Sequence, residues 1–347
     1  MATILAFRLR SRLSPWLSLR SFRQIEVSRR YASLANVAAC NSDSLTVDQF
    51  RREAFHSQTP MVIKGCKGSL HLSSPAELTL FDDTSSGSYG IAADLSASTL
   101  GRLFPYEVYV PDASSAETLD DFRRHLESST ISANLSDDIV LQCLDPVTTE
   151  RDPRKTFFQI QASFGLLLQA LEFNEKQMRG RGPPLQLYIA QSSIADLPPK
   201  LRAGLPPPLI VREAGKGDIY GSSIWLGTEP TYTPLHRDPN PNLLLQLYGS
   251  KVIRLMSPQD GDEIFVEVQK KLGRQASSRI RTTAMMEGKE RELLHDLIWK
   301  KSPFSDDAQI AEIGPEDGLF IPKGWWHSVK SKRSEGQLNA SANWWFR

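Results

Sequence analysis

Cysteine is scarce: Cys40, Cys66 and Cys143 are the only three in 347 residues, scattered and never in a CxxC pair. That excludes a disulfide-stapled secreted module and a CxxC zinc or redox centre, and it predicts a reducing compartment. Long apolar runs are missing as well. No stretch reaches eighteen residues, so no helical membrane span is expected. Nor is there an excess of charge of either sign, since 41 Lys and Arg stand against 40 Asp and Glu. What is there, 40% apolar and 23% charged residues over this length, is a globular composition able to bury a sizeable core.

The charge is unevenly placed. Residues 1–31 carry seven arginines (Arg8, Arg10, Arg12, Arg20, Arg23, Arg29, Arg30), five serines, no lysine and one acid, Glu26. This Arg-rich, Ser-rich, acid-poor composition, with Leu, Ile and Phe interleaved, predicts a mitochondrial transit peptide and a matrix location. Arg29-Arg30-Tyr31-Ala32 would be its processing site. A basic tail or an interfacial helix on a cytoplasmic protein is the alternative. The remaining body has a net charge of −5, which argues against phosphate-backbone binding, so no nucleic-acid partner is expected.

Periodicity divides the rest. LTVDQFRREAF (45–55) predicts a short amphipathic helix and TPMVIKG a strand from Pro60 to Gly65. Residues 73–98, rich in Ser, Asp and Gly, read as loops around short strands. A helix with an N-cap serine is predicted over 115–127 and a second over 155–177, followed by a strand in LQLYIAQ and proline-rich turns over 198–208. Then 222–227, 241–248, 251–256, 317–322 and 339–346 are short strands punctuated by Gly, Pro and Asn, as a small all-β barrel requires. Between them 259–313 is charged and helix-prone, without strand signal, and reads as an insert. The expected organisation is an N-terminal helix and strand elaboration, 45–221, on an all-β core, 222–347.

The chemistry lies in TYTPLHRDPNPNLLLQLY (231–248). His236 and Asp238 stand two apart, so an extended chain projects both from one face toward a single metal. His327, in IPKGWWH, is the third candidate ligand. Two imidazoles and one carboxylate on one face of an octahedron leave three positions open, the arrangement that oxygen activation on Fe(II) requires. These could be ordinary strand residues, yet a His, an Asp and two Asn ahead of an apolar LLL run are costly to bury without a partner.

The company of this triplet resembles the JmjC or cupin-like family of Fe(II)- and 2-oxoglutarate-dependent oxygenases, its asparaginyl hydroxylases in particular. The resemblance is close over 222–346 and loose over 45–191. Thr233 and Asn242 flank the triplet at the family's spacing, Lys251 follows two after Gly249, and Tyr188 lies upstream in LYIAQ. His327 follows a proline and a WW pair, Asn343 sits in NWWF, and TPMVIKG resembles the family's opening strand. The resemblance implies a double-stranded β-helix of the jelly-roll or cupin type, with Fe(II) held by His236, Asp238 and His327. It implies 2-oxoglutarate and O2 as co-substrates, the distal carboxylate on Lys251, Tyr188 and Thr233, and Asn343 near the inner one.

The expected activity is hydroxylation of a C–H bond on a protein side chain. Two alternatives are a small-molecule oxygenase, its pocket closed by the 259–313 insert, and a non-catalytic metal- or partner-binding protein. Lysine demethylation of histones is disfavoured by the transit peptide and the acidic body. Lys251 could instead snorkel to solvent. Trp325, Trp326, Trp344 and Trp345 read as core and rim packing, and His295 as a helix-surface residue. His56, His71 and His125 have no motif around them, and RGRG (179–182) reads as a turn.

Overall fold

Short period-two segments produce short strands, and among the described residues fourteen of them make up about half of the regular structure. The computed structural model describes residues 34–66, 101–128, 144, 155–177, 182–273, 286–300 and 307–347. Its strands are β1 (Ala35–Asn36), β2 (Ala39–Asn41), β3 (Met61–Lys64), β4 (Leu103–Tyr109), β5 (Phe157–Ser163), β6 (Leu187–Ser193) and β7 (Ile219–Thr228). They continue with β8 (Tyr232–Arg237), β9 (Asn242–Tyr248), β10 (Lys251–Met256), β11 (Gln309–Ile313), β12 (Gly318–Ile321), β13 (Trp326–Ser331) and β14 (Leu338–Phe346). One sheet runs β1-β11-β10-β13-β8 and the other β2-β3-β12-β9-β14-β7-β6-β4-β5. The four strands β11-β10-β13-β8 face the four strands β12-β9-β14-β7 as a jelly-roll sandwich, and β4 to β6 extend the larger sheet.

Three apolar clusters show how the layers are held. Between the sheets, Ile253, Leu255 and Ile313 meet Leu244, Leu319 and Ile321. On the outer face of the larger sheet, Leu243, Leu245, Phe320, Ala340, Ala342 and Trp344 pack under the helical elaboration. On the outer face of the smaller sheet, Leu235, Met256 and Trp326 pack under Ile264, Phe265, Val268 and Leu294 of the insert. This explains the LLL run: β9 is buried on both faces, with Leu244 inward and Leu243 and Leu245 outward.

The helices are α1 (Val47–Phe50), which runs into a π turn at Arg51–Phe55, α2 (Ala113–Ser128), α3 (Phe164–Gln177), α4 (Pro199–Ala203), α5 (Leu209–Glu213), α6 (Pro258–Lys271) and α7 (Gly288–His295), which runs into a second π turn at Asp296–Lys300. The first helix and the strand after it fall where periodicity puts them. Four expectations need correction. The helix expected over 155–177 begins only at Phe164, because FFQIQAS alternates with period two and pairs with β4 throughout. Helix α2 starts earlier and is capped by Asp112, whose Oδ1 accepts from the Ser115 amide at 2.8 Å. The proline-rich stretch holds the short helix α4, with Pro199 at its first position. The insert contains a strand after all, β11, which adds to β10 with Ile313 opposite Lys251. Residues 1–31, most of the 73–98 tract's surroundings, that tract itself, Cys143, His71 and Arg179 to Arg181 lie outside the described residues.

The insert is fixed to the smaller sheet by a stack in which cations and rings alternate. The Arg291 guanidinium lies 4.2 Å from the Tyr109 ring and 4.6 Å from that of Tyr232. Lys330 lies 5.4 Å from Tyr232 and 4.6 Å from Trp299, and Arg254 follows at 4.8 Å from Trp299. The stack links β4, α7, β8, β13, the second π turn and β10. His295, expected on a helix surface, joins it edge-on to Tyr232 at 5.2 Å, with its Nε2 2.6 Å from Lys330 Nζ.

Helix α6 approaches the sheet so closely that a Cβ on Gly261 would overlap the indole of Trp326. Gly261→Ala is therefore expected to destabilise the fold by about 1–3 kcal/mol, since the ring has packed neighbours on its other side. Urea denaturation of the two proteins measures it.

Candidate metal centre

His236 and His327 are cross-strand partners on β8 and β13, and their ring centroids lie 4.1 Å apart. Asp238 follows β8, its Oδ2 3.9 Å from His327 Nε2. One ligand atom from each of the three lies within 4.8 Å of the others. Each imidazole is oriented from behind. His236 Nδ1 is 2.8 Å from the Pro234 carbonyl and His327 Nδ1 3.2 Å from that of Trp325. With Nδ1–H donating there, Nε2 carries the free lone pair that a metal takes.

The carboxylate is held as firmly. Asn242 Nδ2 and Trp345 Nε1 both donate to Asp238 Oδ2, at 3.0 and 2.9 Å. The line continues through Asn343 Nδ2, which donates to Asn242 Oδ1 at 3.2 Å, to Trp225 Nε1, which donates to Asn343 Oδ1 at 2.9 Å. Burial pushes the Asp238 carboxyl up, but His327, His236 and the bonds from Trp345 and Asn242 outweigh it and hold the group below the usual carboxylate range. Burial, and then the neighbouring His236, lowers His327, so it stands as a neutral ligand. Two imidazoles and one carboxylate oriented by partners of their own fit a hard-to-borderline divalent ion such as Fe(II).

The co-substrate residues expected from the sequence lie on the same interior. Strand β10 presents Lys251, Ile253 and Leu255 inward, with Leu255 beside His327. Lys251 is therefore four residues from the metal row, roughly 13 Å along the strand, a gap shortened by the reach of both side chains. It is 3% exposed, which removes the snorkelling alternative. Its Nζ donates to Ser341 Oγ at 2.5 Å and lies 3.4 Å from the Tyr188 hydroxyl. Burial drops the Lys251 pKa to about 7, against the pull of Glu229, and raises that of Tyr188, which is therefore a neutral donor.

Thr233 reaches the interior by a bulge. Three residues separate it from His236, so a regular strand would put the two on opposite faces. On β13, however, their partners Val329 and His327 are only two apart. Pro234 and Leu235 thus stand opposite Ser328 alone, and the extra residue brings Thr233 round to the face of His236. Proline suits the bulge because no ladder bond is asked of its nitrogen. Ser328 Oγ ties the segment down by donating to the Thr233 carbonyl at 2.9 Å.

Trp345 and Trp225 were expected only as packing or not at all, and Ser341 was missed. The signal for β14 was present in Asn339, Ser341 and Asn343, three polar residues that alternate with the apolar Ala340, Ala342 and Trp344. Trp344 does pack in the core, as expected, while Trp345 bonds the candidate ligand.

The sequence pattern of the cupin-like domain matches residues 47–347. The chain belongs to the cupin-like domain family. Among known relatives of this cupin-like protein is Lysine-specific demethylase 8 of Danio rerio, 28% identical over 182 residues, 52% of this chain and 41% of that protein. Lysine-specific demethylase JMJ30 of Arabidopsis thaliana is 26% identical over 178 residues, 50% of this chain and 37% of that one. Jumonji C domain-containing protein 5 of Drosophila melanogaster is 31% identical over 161 residues, 46% and 36% of the two chains. The matches thus span less than half the length of these relatives, two of which are named as lysine-specific demethylases and one as a Jumonji C domain-containing protein. No helix among the described residues is long and apolar enough to cross a membrane.

Trp345→Phe keeps the ring and removes the N–H that Asp238 accepts. Such a loss of support behind a ligand is expected to weaken divalent-metal affinity roughly 10- to 100-fold. Titration with Mn(II) measures this, and a thermal melt of the metal-free protein should change little.

Proposed function

We propose that this cupin-like protein is an Fe(II)- and 2-oxoglutarate-dependent oxygenase that hydroxylates a C–H bond of a protein side chain. The observation that carries the reading is the buried ammonium of Lys251 on the same interior face as His236, Asp238 and His327. An ammonium bonded only to hydroxyls costs several kcal/mol to bury, and an anion that comes into direct contact with it would offset that cost. With Fe(II) bound, O2 would be the oxidant, taking two electrons from 2-oxoglutarate, which leaves as succinate and CO2, and two from the substrate C–H bond, so that one oxygen atom enters each product. The chain's own part is positional. His236, Asp238 and His327 would hold the metal, while Lys251, Tyr188 and Thr233 would take the distal carboxylate. Asn343 and Asn242 would line the space between. The apolar cluster of Ile253, Leu255, Leu244 and Leu319 keeps water from the far side.

The described part of the insert favours a protein substrate over a small molecule. Helices α6 and α7 lie on the outer face of the smaller sheet, behind the metal strands. In that place these two helices back the site and do not close over it, which supports a substrate larger than a small molecule. Lysine demethylation is a second reading, favoured by the names of two relatives; it uses the same C–H step on an N-methyl group.

Anaerobic addition of Fe(II) and then 2-oxoglutarate is expected to give the visible charge-transfer band of the chelate in wild type and none in His236→Ala. Absence of a band in wild type that still binds metal would rule out the oxygenase reading in favour of a binding protein. With a pool of cell-extract peptides, succinate release accompanied by the mass of one added oxygen marks hydroxylation. Loss of a methyl group with formaldehyde marks demethylation. We further propose that residues 1–31 direct the chain to the mitochondrial matrix. Import into isolated mitochondria should shorten the protein, and import without shortening would refute the cleaved-peptide proposal.

A further inference from the structure

Lys251 and Glu229 are opposite charges buried in one interior, and only one of them has a place in the proposed reaction. Lys251 Nζ is satisfied by neutral groups, Ser341 Oγ and the Tyr188 hydroxyl. Glu229, 1% exposed, follows β7. Its Oε1 accepts from Asn339 Nδ2 at 2.9 Å, while its Oε2 has no hydrogen-bond partner. Asn339 is fixed in turn: its Nδ2 also donates to the Ser250 carbonyl at 3.0 Å, and its Oδ1 accepts from Gln246 Nε2 at 3.1 Å. Asn339 and Ser341 are successive inward positions on β14, so the carboxylate and the ammonium hang from anchors roughly 7 Å apart.

The surroundings leave little else to balance Lys251. Burial raises the Glu229 carboxyl above its usual range, and the Asn339 hydrogen bond, Arg333 and Lys251 act against that rise, while Glu335, beside Arg333 in the turn between β13 and β14, adds to it. On Lys251 the one charge that favours its protonated form is Glu229. Asn339, not the ammonium, donates the hydrogen bond that Glu229 accepts. The cation is thereby stabilised at a distance and stays free to turn to an incoming anion.

Resting on the reading that Lys251 receives the distal carboxylate of 2-oxoglutarate, we propose that Glu229 is a positioning residue: it keeps Lys251 protonated until the co-substrate's carboxylate takes over as counter-charge. Without it, burial would leave a neutral amine, which cannot pair with a dicarboxylate. The sign follows. Lys251, at about 7, sets a basic limb: 2-oxoglutarate affinity is full below that pH and falls as pH rises through it. Removing the negative charge of Glu229 moves this limb to lower pH.

The test is the dissociation constant of 2-oxoglutarate, by calorimetry on the Mn(II)-loaded full chain from about pH 6 to 8.5, in wild type and Glu229→Gln. The glutamine keeps the acceptor for Asn339. A limb shifted by about one pH unit would make the variant bind roughly tenfold more weakly at about pH 8 and within about twofold of wild type at about pH 6. Asn339→Ser, which withdraws the donor that keeps Glu229 ionised, should shift the limb the same way by less and serves if Glu229→Gln does not fold. An unmoved limb, or equal weakening at every pH, would overturn the proposal and leave Glu229 a structural residue. No 2-oxoglutarate binding in wild type at any pH, with metal still bound, would instead bring down the functional reading, and this inference with it.

Discussion

A carboxylate between two imidazoles, taken out of water, keeps its charge only if donors replace the solvent it has lost, and much of the chain is arranged to provide them. Asp238 sits just after β8, yet its donors come from β9 (Asn242) and from the far end of the chain (Trp345). Both must be within 3 Å of the same oxygen, which requires β14 to lie beside β9 in one sheet and that sheet to face β8 in the other. The sandwich satisfies these terms by pairing Trp345 with Asn242 across β14 and β9. A buried charge of this kind is costly unless every partner is present, so the metal ligands, their supports and the order of strands are one problem rather than three.

Much of this was legible in the sequence, and what was not has physical reasons. The spacing of His236 and Asp238 is a strand-level statement, and the structure puts both with His327. The polar positions at Asn242, Lys251 and Asn343 stand out because their neighbours are apolar. Strand β5 was absorbed into the helix after it because FFQIQAS runs without a break into the strongly helical FGLLLQALEF. Strand β11 was hidden by its length of five residues and by the charged insert that contains it. Trp345 as a donor, and Glu229 beside Asn339, could not be read from spacing at all. Each depends on residues more than a hundred positions apart meeting across a sheet.

The three apolar clusters also separate tasks. The one between the sheets fills only part of the interior; the rest is lined by Asn, Gln, Ser, Lys and His, so the sandwich is dry in one region and polar in another. The two outer clusters give each sheet a backing of helices. A rigid backing on both sides holds the inward side chains in position before a ligand arrives, as preorganised sites require.

The bulge in β8 makes the segment from Thr233 to His236 count residues rather than length. Its surplus residue turns Thr233 and His236 to the same side; one residue fewer would restore the even ladder and send one of them to the helices behind the sheet. Changes of side chain at Pro234 or Leu235 would be graded in effect, whereas a deletion there would act as an all-or-none exchange of inside for outside. In related chains this short stretch should therefore vary in spelling while keeping its number of letters.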